Sequence, residues 1–385
     1  MKPSTKMVRR PLLPLTDVDP LTTPIFETTS YVFDSAAQVR EYNEGRSAKY
    51  LYTRYGNPTI TAVEGKLAAA EGAESALLLS SGQAATSTAL LALLQSGDEI
   101  VCSAAIYGGT LHLLGDLLTR LGLAARFVGI DELRDPERVL SDRTRVLWFE
   151  SPINPTLRCV DIKAVADACR ARGVVSVLDS TFASPVNQQP LSLGVDVVMH
   201  SATKYLNGHS DVTAGVLAGG SSRLAPMEKV RRSLGTILDP QAAYALGRGL
   251  KTLVVRVERQ NATAGVLATW LRQDPRVRAV FYPGLADHPD HDIARRQMRG
   301  FGGMVCIDVE DYARAAAFFD RLQVFQRAAS LGGVESLCSL PVLTSQWGHS
   351  DEELRAAGVT HGMARLSIGL EDVEDLIADL DQALG

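Results

Sequence analysis

The sequence predicts an α/β fold of three layers, in which helices cover both faces of a mainly parallel seven-stranded sheet. Between residues 60 and 220, short apolar runs alternate with helical patterns, and this alternation is typical of βαβ units and a parallel sheet. The runs are apolar almost throughout, which indicates strands that are buried on both faces. With 385 residues, the chain is also long enough to form a second domain.

Seven strands are predicted in order along this region. They are the apolar runs at 75–79, 99–102, 125–128, 145–149, 174–178, 195–199 and 214–218. Helical patterns lie between them, as at 84–95 and 161–173, and a long helical stretch covers 241–273. After it come strand patterns at 302–310 and 363–371, with helix patterns at 312–322 and 372–384. This last group predicts a smaller C-terminal α+β domain.

Composition narrows the functional classes. The net charge of −5 and the pI near 5.9 argue against a nucleic-acid-binding protein, which needs a basic face. No apolar run has the length of a membrane span. Residues 1–20 carry basic residues with no apolar block behind them, so we expect a flexible arm and not a signal peptide.

The spacing of cysteine and histidine predicts reduced thiols and no metal site. The cysteines are scattered and form no CxxC pair, which fits a cytoplasmic protein; they are Cys102, Cys159, Cys169, Cys306 and Cys338. His288 and His291 have the spacing of metal ligands, but a proline stands between them in a loop-like stretch. We therefore expect no metal there.

Polar residues follow the predicted strands, at the edge where open parallel sheets bind ligands. Ser80-Ser81-Gly82-Gln83 follows the first strand and opens a helix, whose N–H groups suit an anion. Asn154 lies in the loop after the fourth strand, Asp179 follows the fifth, and the polar segment Ser201–Lys204 follows the sixth. Each group alone also fits a structural role, such as a tight turn, a helix cap or a solvated loop.

Together these groups match the chemistry of pyridoxal 5'-phosphate. The phosphate needs an anion-binding turn and hydroxyl groups, the ring nitrogen needs a carboxylate, and the aldehyde needs a lysine amine as its Schiff-base partner. Lysine suits this task because desolvation lowers its pKa and frees the amine. The joint placement favours a cofactor site over a coincidence of structural roles.

The motifs that carry these residues resemble one family. The chain is similar, over about residues 20 to 385, to the trans-sulfuration (Cys/Met metabolism) family of pyridoxal-phosphate enzymes. The resemblance implies the aspartate-aminotransferase-like fold, called fold type I. Its motifs are "YTRYGNPT" (52–59), "SSGQAA" (81–86), "IYGGT" (106–110), "ESPINP" (150–155), "LDSTFASP" (178–185), "HSATKYLNGHSD" (200–211), "YPGL" (282–285), "SLGGVESL" (330–337) and "RLSIGLED" (365–372).

The resemblance implies a role for each site residue. Lys204 would bind the cofactor covalently and then move protons, Tyr107 would stack on the ring and assist the leaving group, and Asp179 would pair with the ring nitrogen. The phosphate would be held by Gly82, Gln83, Ser201 and Thr203, and by Tyr52 and Arg54 reaching into the neighbouring subunit. The substrate carboxylate would be held by Asn154 and Arg365, with Ser330 nearby. Plain structural roles remain open for Tyr107, Arg365 and Ser330.

The resemblance also implies how the chain is divided and assembled. Residues 1–59 would form an N-terminal arm that contacts the neighbouring subunit. Residues 60–255 would form the pyridoxal-phosphate-binding domain, and residues 256–385 the C-terminal α+β domain. The active unit would be a homodimer with shared active sites, paired into a homotetramer.

Two positions bear on the substrate. Relatives that use cystathionine resemble "YGGT-x-R" and tend to carry glutamate just before "SLGG", whereas this chain has His112 and Ala329 at these positions. A far end without fixed charges suits a short or uncharged substrate tail. Members that act on methionine also lack both charges, although they often have cysteine where this chain has Gly109.

We therefore expect a C–S lyase that resembles methionine γ-lyase and carries out γ-elimination on a sulfur-containing amino acid. The alternatives are γ-replacement on an O-acylhomoserine, as in cystathionine γ-synthase or an O-acylhomoserine sulfhydrylase, and cystathionine γ-lyase activity. A pyridoxal-phosphate-binding scaffold without catalysis is a further hypothesis. The intact set of Lys204, Asp179, Tyr107 and Arg365 argues against it.

Overall fold

Two β-sheets organise the chain, and the computed structural model describes residues 1–9 and 20–385. The strands of the larger sheet are β1 (Ser75–Leu79), β2 (Glu99–Ser103), β3 (Ala124–Val128), β4 (Thr144–Glu150), β5 (Val175–Asp179), β6 (Val197–Ser201) and β7 (Gly215–Gly219). Those of the smaller sheet are β8 (Ala279–Phe281), β9 (Met304–Asp308), β10 (Gln326–Arg327), β11 (Leu337–Ser339) and β12 (Met363–Ser367). The predicted α/β fold is confirmed, and each strand predicted between 75 and 218 is present.

Helices connect the strands and cover the sheets. Those before the smaller sheet are α1 (Pro3–Val8), α2 (Ala36–Asn43), α3 (Pro58–Glu71), α4 (Gly82–Leu93), α5 (Gly108–His112), α6 (Ile162–Ala171), α7 (Ser184–Asn187), α8 (Ser221–Leu234), α9 (Pro240–Gly249) and α10 (Leu253–Gln273). Those that follow β8 are α11 (His291–Gln297), α12 (Tyr312–Arg321), α13 (Asp351–Ala356) and α14 (Val373–Leu384).

The larger sheet is mainly parallel and is buried on both faces. Its strand order is β1-β7-β6-β5-β4-β2-β3, and only β7 runs antiparallel to its neighbours within this sheet of the described chain. Consecutive residues of β4 pack into hydrophobic cores on opposite faces of the sheet, as Trp148 and Phe149 show. This arrangement is the predicted three-layer sandwich, and it brings the carboxyl ends of β1, β4, β5 and β6 to one edge.

The smaller sheet forms the predicted C-terminal α+β unit. Its order is β10-β11-β12-β9-β8, and β12 pairs antiparallel with β9 so that Arg365 lies opposite Cys306. Leu267 of α10, Phe318 of α12 and Leu380 of α14 share a buried core. The domain limits at 59/60 and 255/256 stay predictions.

The predicted stretch 241–273 is helical throughout, but it is not one continuous α-helix. Helix α9 ends at Gly249, a 3-10 turn covers Leu250–Thr252, and α10 begins at Leu253. Gly249 packs directly on a neighbouring loop, where a Cβ atom at this position would lie 2.3 Å from the carbonyl oxygen of Asn207. The close approach admits only glycine, which is a weak helix former.

The prediction of a flexible arm is wrong for residues 3–8, which form α1. Met7 is buried, with 2% of its surface exposed, and its carbonyl oxygen accepts a hydrogen bond from Lys66 Nζ at 3.1 Å. Lys6 Nζ donates to the carbonyl oxygen of Ala69 at 2.8 Å. Both contacts fasten α1 to α3. The rest of the arm, residues 10–19, lies outside the described residues.

None of the helices described here combines the length and the apolar character that a membrane span requires.

Candidate active site

A cavity of about 520 Å³ opens at the edge where the parallel strands end. It lies between the larger sheet and β12 of the smaller sheet. Its lining residues are Ser81, Gly82, Gln83, Tyr107, Thr110, Glu150, Pro152, Asn154, Asp179, Thr181, Phe182, Met199, Ser201, Thr203, Lys204, Thr213, Ala329, Ser330, Leu331, Thr344, Ser345 and Arg365. The position agrees with the rule that open α/β sheets bind ligands at the carboxyl ends of their strands.

The turn between β1 and α4 has the features of an anion-binding site. Ser81 caps α4 by accepting a hydrogen bond from the N–H of Ala84 at 3.0 Å. Gly82 approaches β6 so closely that a Cβ atom would lie 3.0 Å from Cβ of Ser201. At Gly215 of β7, a Cβ atom would lie 2.0 Å from the carbonyl oxygen of Ser81. The glycines therefore bring free N–H groups of a helix N-terminus next to the Ser201 hydroxyl, as a phosphate requires.

Asp179 supplies a partly buried carboxylate whose orientation is fixed by Thr181. The carboxylate accepts hydrogen bonds from the N–H of Thr181 at 3.0 Å and from its hydroxyl group. The same hydroxyl accepts from the N–H of Ser201 at 2.8 Å. Burial raises the pKa of Asp179, and the hydrogen bonds from Thr181 and the nearby His200 partly oppose this rise. A cation such as a protonated ring nitrogen would therefore be bound favourably by this carboxylate.

Lys204 presents its amine to the same cavity. Its Nζ donates a hydrogen bond to the hydroxyl of Ser330 at 2.9 Å. Burial, and secondarily the positive charge of Arg365, lowers the pKa of Lys204 to about 8. A large share of the amine is therefore neutral near physiological pH, which is the form that attacks an aldehyde.

Arg365 faces the cavity from β12 and is buried. Its Nη1 donates to Oδ1 of Asn154 at 2.8 Å, and its Nη2 donates to the carbonyl oxygen of Ser330 at 3.0 Å. Burial lowers the pKa of Arg365. Both partners are neutral, so this guanidinium is ready to bind a carboxylate from a ligand.

Tyr107 and Glu150 complete the rim. Tyr107 is half exposed at the start of α5, and its backbone N–H donates to Oε1 of Glu150 at 2.7 Å. Glu150 and Thr181 lie within the motifs at 150–155 and 178–185, but the sequence predicts no role for either. Their position at or just after a strand end was the available signal.

The structure brings most of the predicted site residues together. The cavity lining includes Gly82, Gln83, Tyr107, Asn154, Asp179, Ser201, Thr203, Lys204, Ala329, Ser330 and Arg365. His112 does not line it: the side chain is about three-quarters exposed, and its Nδ1 lies 3.6 Å from Asp116 on the following turn. The helical turn after Tyr107 directs His112 to the solvent, which differs from the expected place in the distal pocket.

Tyr52 and Arg54 also stand apart from the cavity of their own chain. Nη1 of Arg54 donates to the carbonyl oxygen of Arg232 at 2.7 Å, and its guanidinium lies 4.8 Å from the ring centre of Tyr55. Their predicted contact with a neighbouring subunit stays a prediction. Within the described ranges, no cluster of His, Cys, Asp and Glu has the geometry of a metal site.

Comparisons with known proteins agree with this geometry. Residues 4–385 match the model of the Cys/Met metabolism PLP-dependent enzyme family. The chain belongs to this family. It is therefore a pyridoxal-phosphate-dependent enzyme, and its substrates are amino acids as small molecules.

Its relatives carry several names. Cystathionine gamma-synthase 1, chloroplastic, of Nicotiana tabacum is 42% identical over 95% of this chain and 68% of its own length. L-methionine gamma-lyase of Fusobacterium nucleatum is 40% identical over 94% of this chain and 93% of its own length. The solved structure of metB from Corynebacterium glutamicum has a TM-score of 0.93, with 36% identity over 100% of this chain and 98% of that one. The different names leave the reaction open within the family.

The residues present fit the family's cofactor. The turn at Gly82 with the Ser201 hydroxyl suits a phosphate, Asp179 suits a ring nitrogen, and the partly neutral amine of Lys204 suits an aldehyde. The cavity of about 520 Å³ is large enough for the cofactor together with a small substrate.

Proposed function

We propose that this enzyme carries out γ-elimination on a sulfur-containing amino acid with an uncharged tail, such as methionine or homocysteine. One observation carries the proposal. Among the described residues that line the cavity, the only basic side chains are those of Lys204 and Arg365. Lys204 is needed for the cofactor aldehyde and Arg365 for the substrate's own carboxylate, so no cation is left for a second charged head.

The substrate carboxylate would be bound by Arg365, which is oriented by Asn154. Asp179 would hold the protonated ring nitrogen, and the turn at Gly82 would hold the phosphate. When bound, the cofactor supplies an electron sink for the bond that is broken at Cα. The neutral amine of Lys204 would then remove the Cα proton and pass protons between Cα and Cβ.

Tyr107 would protonate the leaving sulfur. It lies at the rim and is half exposed, so its hydroxyl reaches both solvent and the cavity. Overall, the substrate and one water would yield a 2-oxo acid, ammonia and a thiol. This balance needs no further reactant.

The far end of the cavity would discriminate against cystathionine. Apart from Glu150, Asp179, Lys204 and Arg365, the described lining of the cavity is uncharged, and it includes Ala329, Thr110, Thr344 and Ser345. Cystathionine carries a second carboxylate, which would enter this region without a charged partner. Losing such a contact costs on the order of 1.5–3 kcal/mol, roughly ten- to a hundredfold in specificity.

A second candidate is γ-replacement on an O-acylhomoserine. The observation that favours it is the 42% identity to a protein named cystathionine gamma-synthase. The same residues would bind the substrate, and the reaction would differ in that a thiol takes the place of the leaving group at Cγ.

The deciding experiment tests a panel of substrates with the enzyme that carries its cofactor. Release of thiol and of 2-oxo acid is measured for methionine, homocysteine, cystathionine, and O-acetyl- and O-succinylhomoserine, with and without an added thiol. The proposal expects kcat/KM for methionine or homocysteine to exceed that for cystathionine by at least about tenfold. A preference for cystathionine, or turnover only of O-acylhomoserine with a thiol, would overturn it.

We further infer that the active unit is a dimer with shared sites. Tyr52 and Arg54 face away from their own cavity, and a two-fold axis would carry them to that of a partner. Inactive Arg54→Ala and inactive Lys204→Ala subunits are mixed under conditions of confirmed subunit exchange. Partial return of activity supports shared sites, since some hybrid sites are then wholly native, and no return excludes them.

A further inference from the structure

A second carboxyl group, that of Glu150, lies beside Asp179 in the active site. Glu150 ends β4 and Asp179 ends β5, and the two residues are paired in the parallel register of these strands. Side chains at paired positions point to the same face of a sheet. Both line the cavity, and Glu150 is only 5% exposed. Two acids are thus held side by side in the cavity where the cofactor would be bound.

The surroundings of the two acids differ. Asp179 gains two hydrogen bonds from Thr181 and lies near His200. Glu150 is faced by the Cys102 thiol of β2, by Asp179 of β5, and by backbone N–H groups. Within the described residues, no lysine or arginine side chain pairs with it. Burial, followed by the charge of Asp179, raises the pKa of Glu150 well above its usual range.

Glu150 also joins two segments of the active site. Its Oε1 accepts the hydrogen bond from the N–H of Tyr107 at 2.7 Å, and the N–H of Asn154 faces the same carboxyl group. Tyr107 directly precedes α5, and Asn154 lies in the loop that supports Arg365. One buried side chain therefore fixes the backbone on both sides of the substrate's position.

We propose that Glu150 is a positioning residue that keeps its proton beside an ionised Asp179 and holds the backbone of Tyr107 at the cavity. The carbonyl oxygen of a protonated carboxyl group still accepts the hydrogen bond from Tyr107. The proton prevents two like charges from sharing one buried site. Asp179 would then offer the cofactor ring nitrogen a single negative charge. This inference uses the family's cofactor chemistry and does not depend on the substrate's tail.

The test compares Glu150→Gln, which reproduces the neutral acid, with Glu150→Ala, which removes the hydrogen-bond acceptor. In the cofactor-free protein at neutral pH, infrared difference spectra should show a carbonyl stretch of a protonated carboxyl group that is lost in Glu150→Gln. Amide hydrogen exchange at Tyr107 should speed up roughly tenfold or more in Glu150→Ala, and Glu150→Gln should restore its protection. Neither measurement involves a substrate, so both are independent of the proposed function.

The turnover of the cofactor-bound enzyme is a third measurement. Glu150→Ala should lower kcat roughly ten- to a hundredfold, because it leaves the N–H group of Tyr107 without its partner. Glu150→Gln should restore most of the lost kcat. The pH dependence of kcat/KM should be the same in Glu150→Gln as in the native enzyme. Absence of the protonated-carboxyl band, unchanged exchange at Tyr107 in Glu150→Ala, or failure of a correctly folded Glu150→Gln to recover activity would each overturn the proposal.

Discussion

Lys204 should titrate far below an ordinary lysine, and this property can be measured without any cofactor. Burial and the charge of Arg365 lower the pKa of Lys204 to about 8. At pH 8, about half of this amine is then neutral, whereas an unshifted lysine with a pKa of about 10.4 is neutral in only about 0.4% of molecules. The neutral fraction is thus roughly a hundredfold larger at that pH.

The assay is trace acetylation of the cofactor-free protein with acetic anhydride from about pH 6 to about pH 11, across the range where lysines titrate. Mass spectrometry follows the Lys204 peptide, with the exposed Lys229 as reference in the same digest. The labelling midpoint of Lys204 should lie near 8. Arg365→Gln should raise it, since a positive charge that disfavours the ammonium form is removed.

Ser330→Ala is the matched control, because it removes the hydrogen bond to Nζ and leaves the Arg365 charge in place. Its midpoint should not rise. A midpoint for native Lys204 near about 10, the range of an unshifted lysine, would refute the reasoning. So would an unchanged midpoint in a folded Arg365→Gln.

The remaining predictions concern the phosphate turn and the distal end of the cavity. Gly82→Ala should weaken cofactor binding roughly ten- to a hundredfold by fluorescence titration, because the added methyl would lie 3.0 Å from Cβ of Ser201. Gly65→Ala, where the added methyl meets nothing within 4 Å, should leave binding unchanged, and equal loss in both variants would contradict the argument. Ala329→Glu should raise kcat/KM for cystathionine relative to methionine, since the new carboxylate can pair with the distal ammonium group. His112→Arg should leave this ratio unchanged because His112 is exposed; a change there would show that His112 reaches the substrate.

Much of the site was predictable because its residues stand where apolar strands stop. Asp179 ends β5, and Lys204 follows β6 by one turn. The change from buried to polar residues is a local signal, and the rule for parallel sheets converts it into a shared edge. The motifs around Tyr107 and Arg365 added roles that the strand pattern alone does not supply.

Other features depend on contacts between distant segments. Beside the break between α9 and α10, a Cβ atom at Gly249 would lie 2.3 Å from the carbonyl oxygen of Asn207, and a helical pattern in the sequence does not show this close approach. Helix α1 is ordered by Lys66, which lies in α3. His112 faces the solvent because of the helical turn that follows Tyr107.

The sequence by itself determined the strands, the three-layer fold and the cofactor family, because hydrophobic periodicity and motif spacing are local properties of the chain. Only the tertiary structure decided which side chains share one environment. The pairing of β4 with β5 sets Glu150 beside Asp179, and the packing of β12 over the larger sheet brings Arg365 close enough to affect Lys204. Charge interactions depend on distance and burial, and both are fixed only when segments far apart in the chain come together.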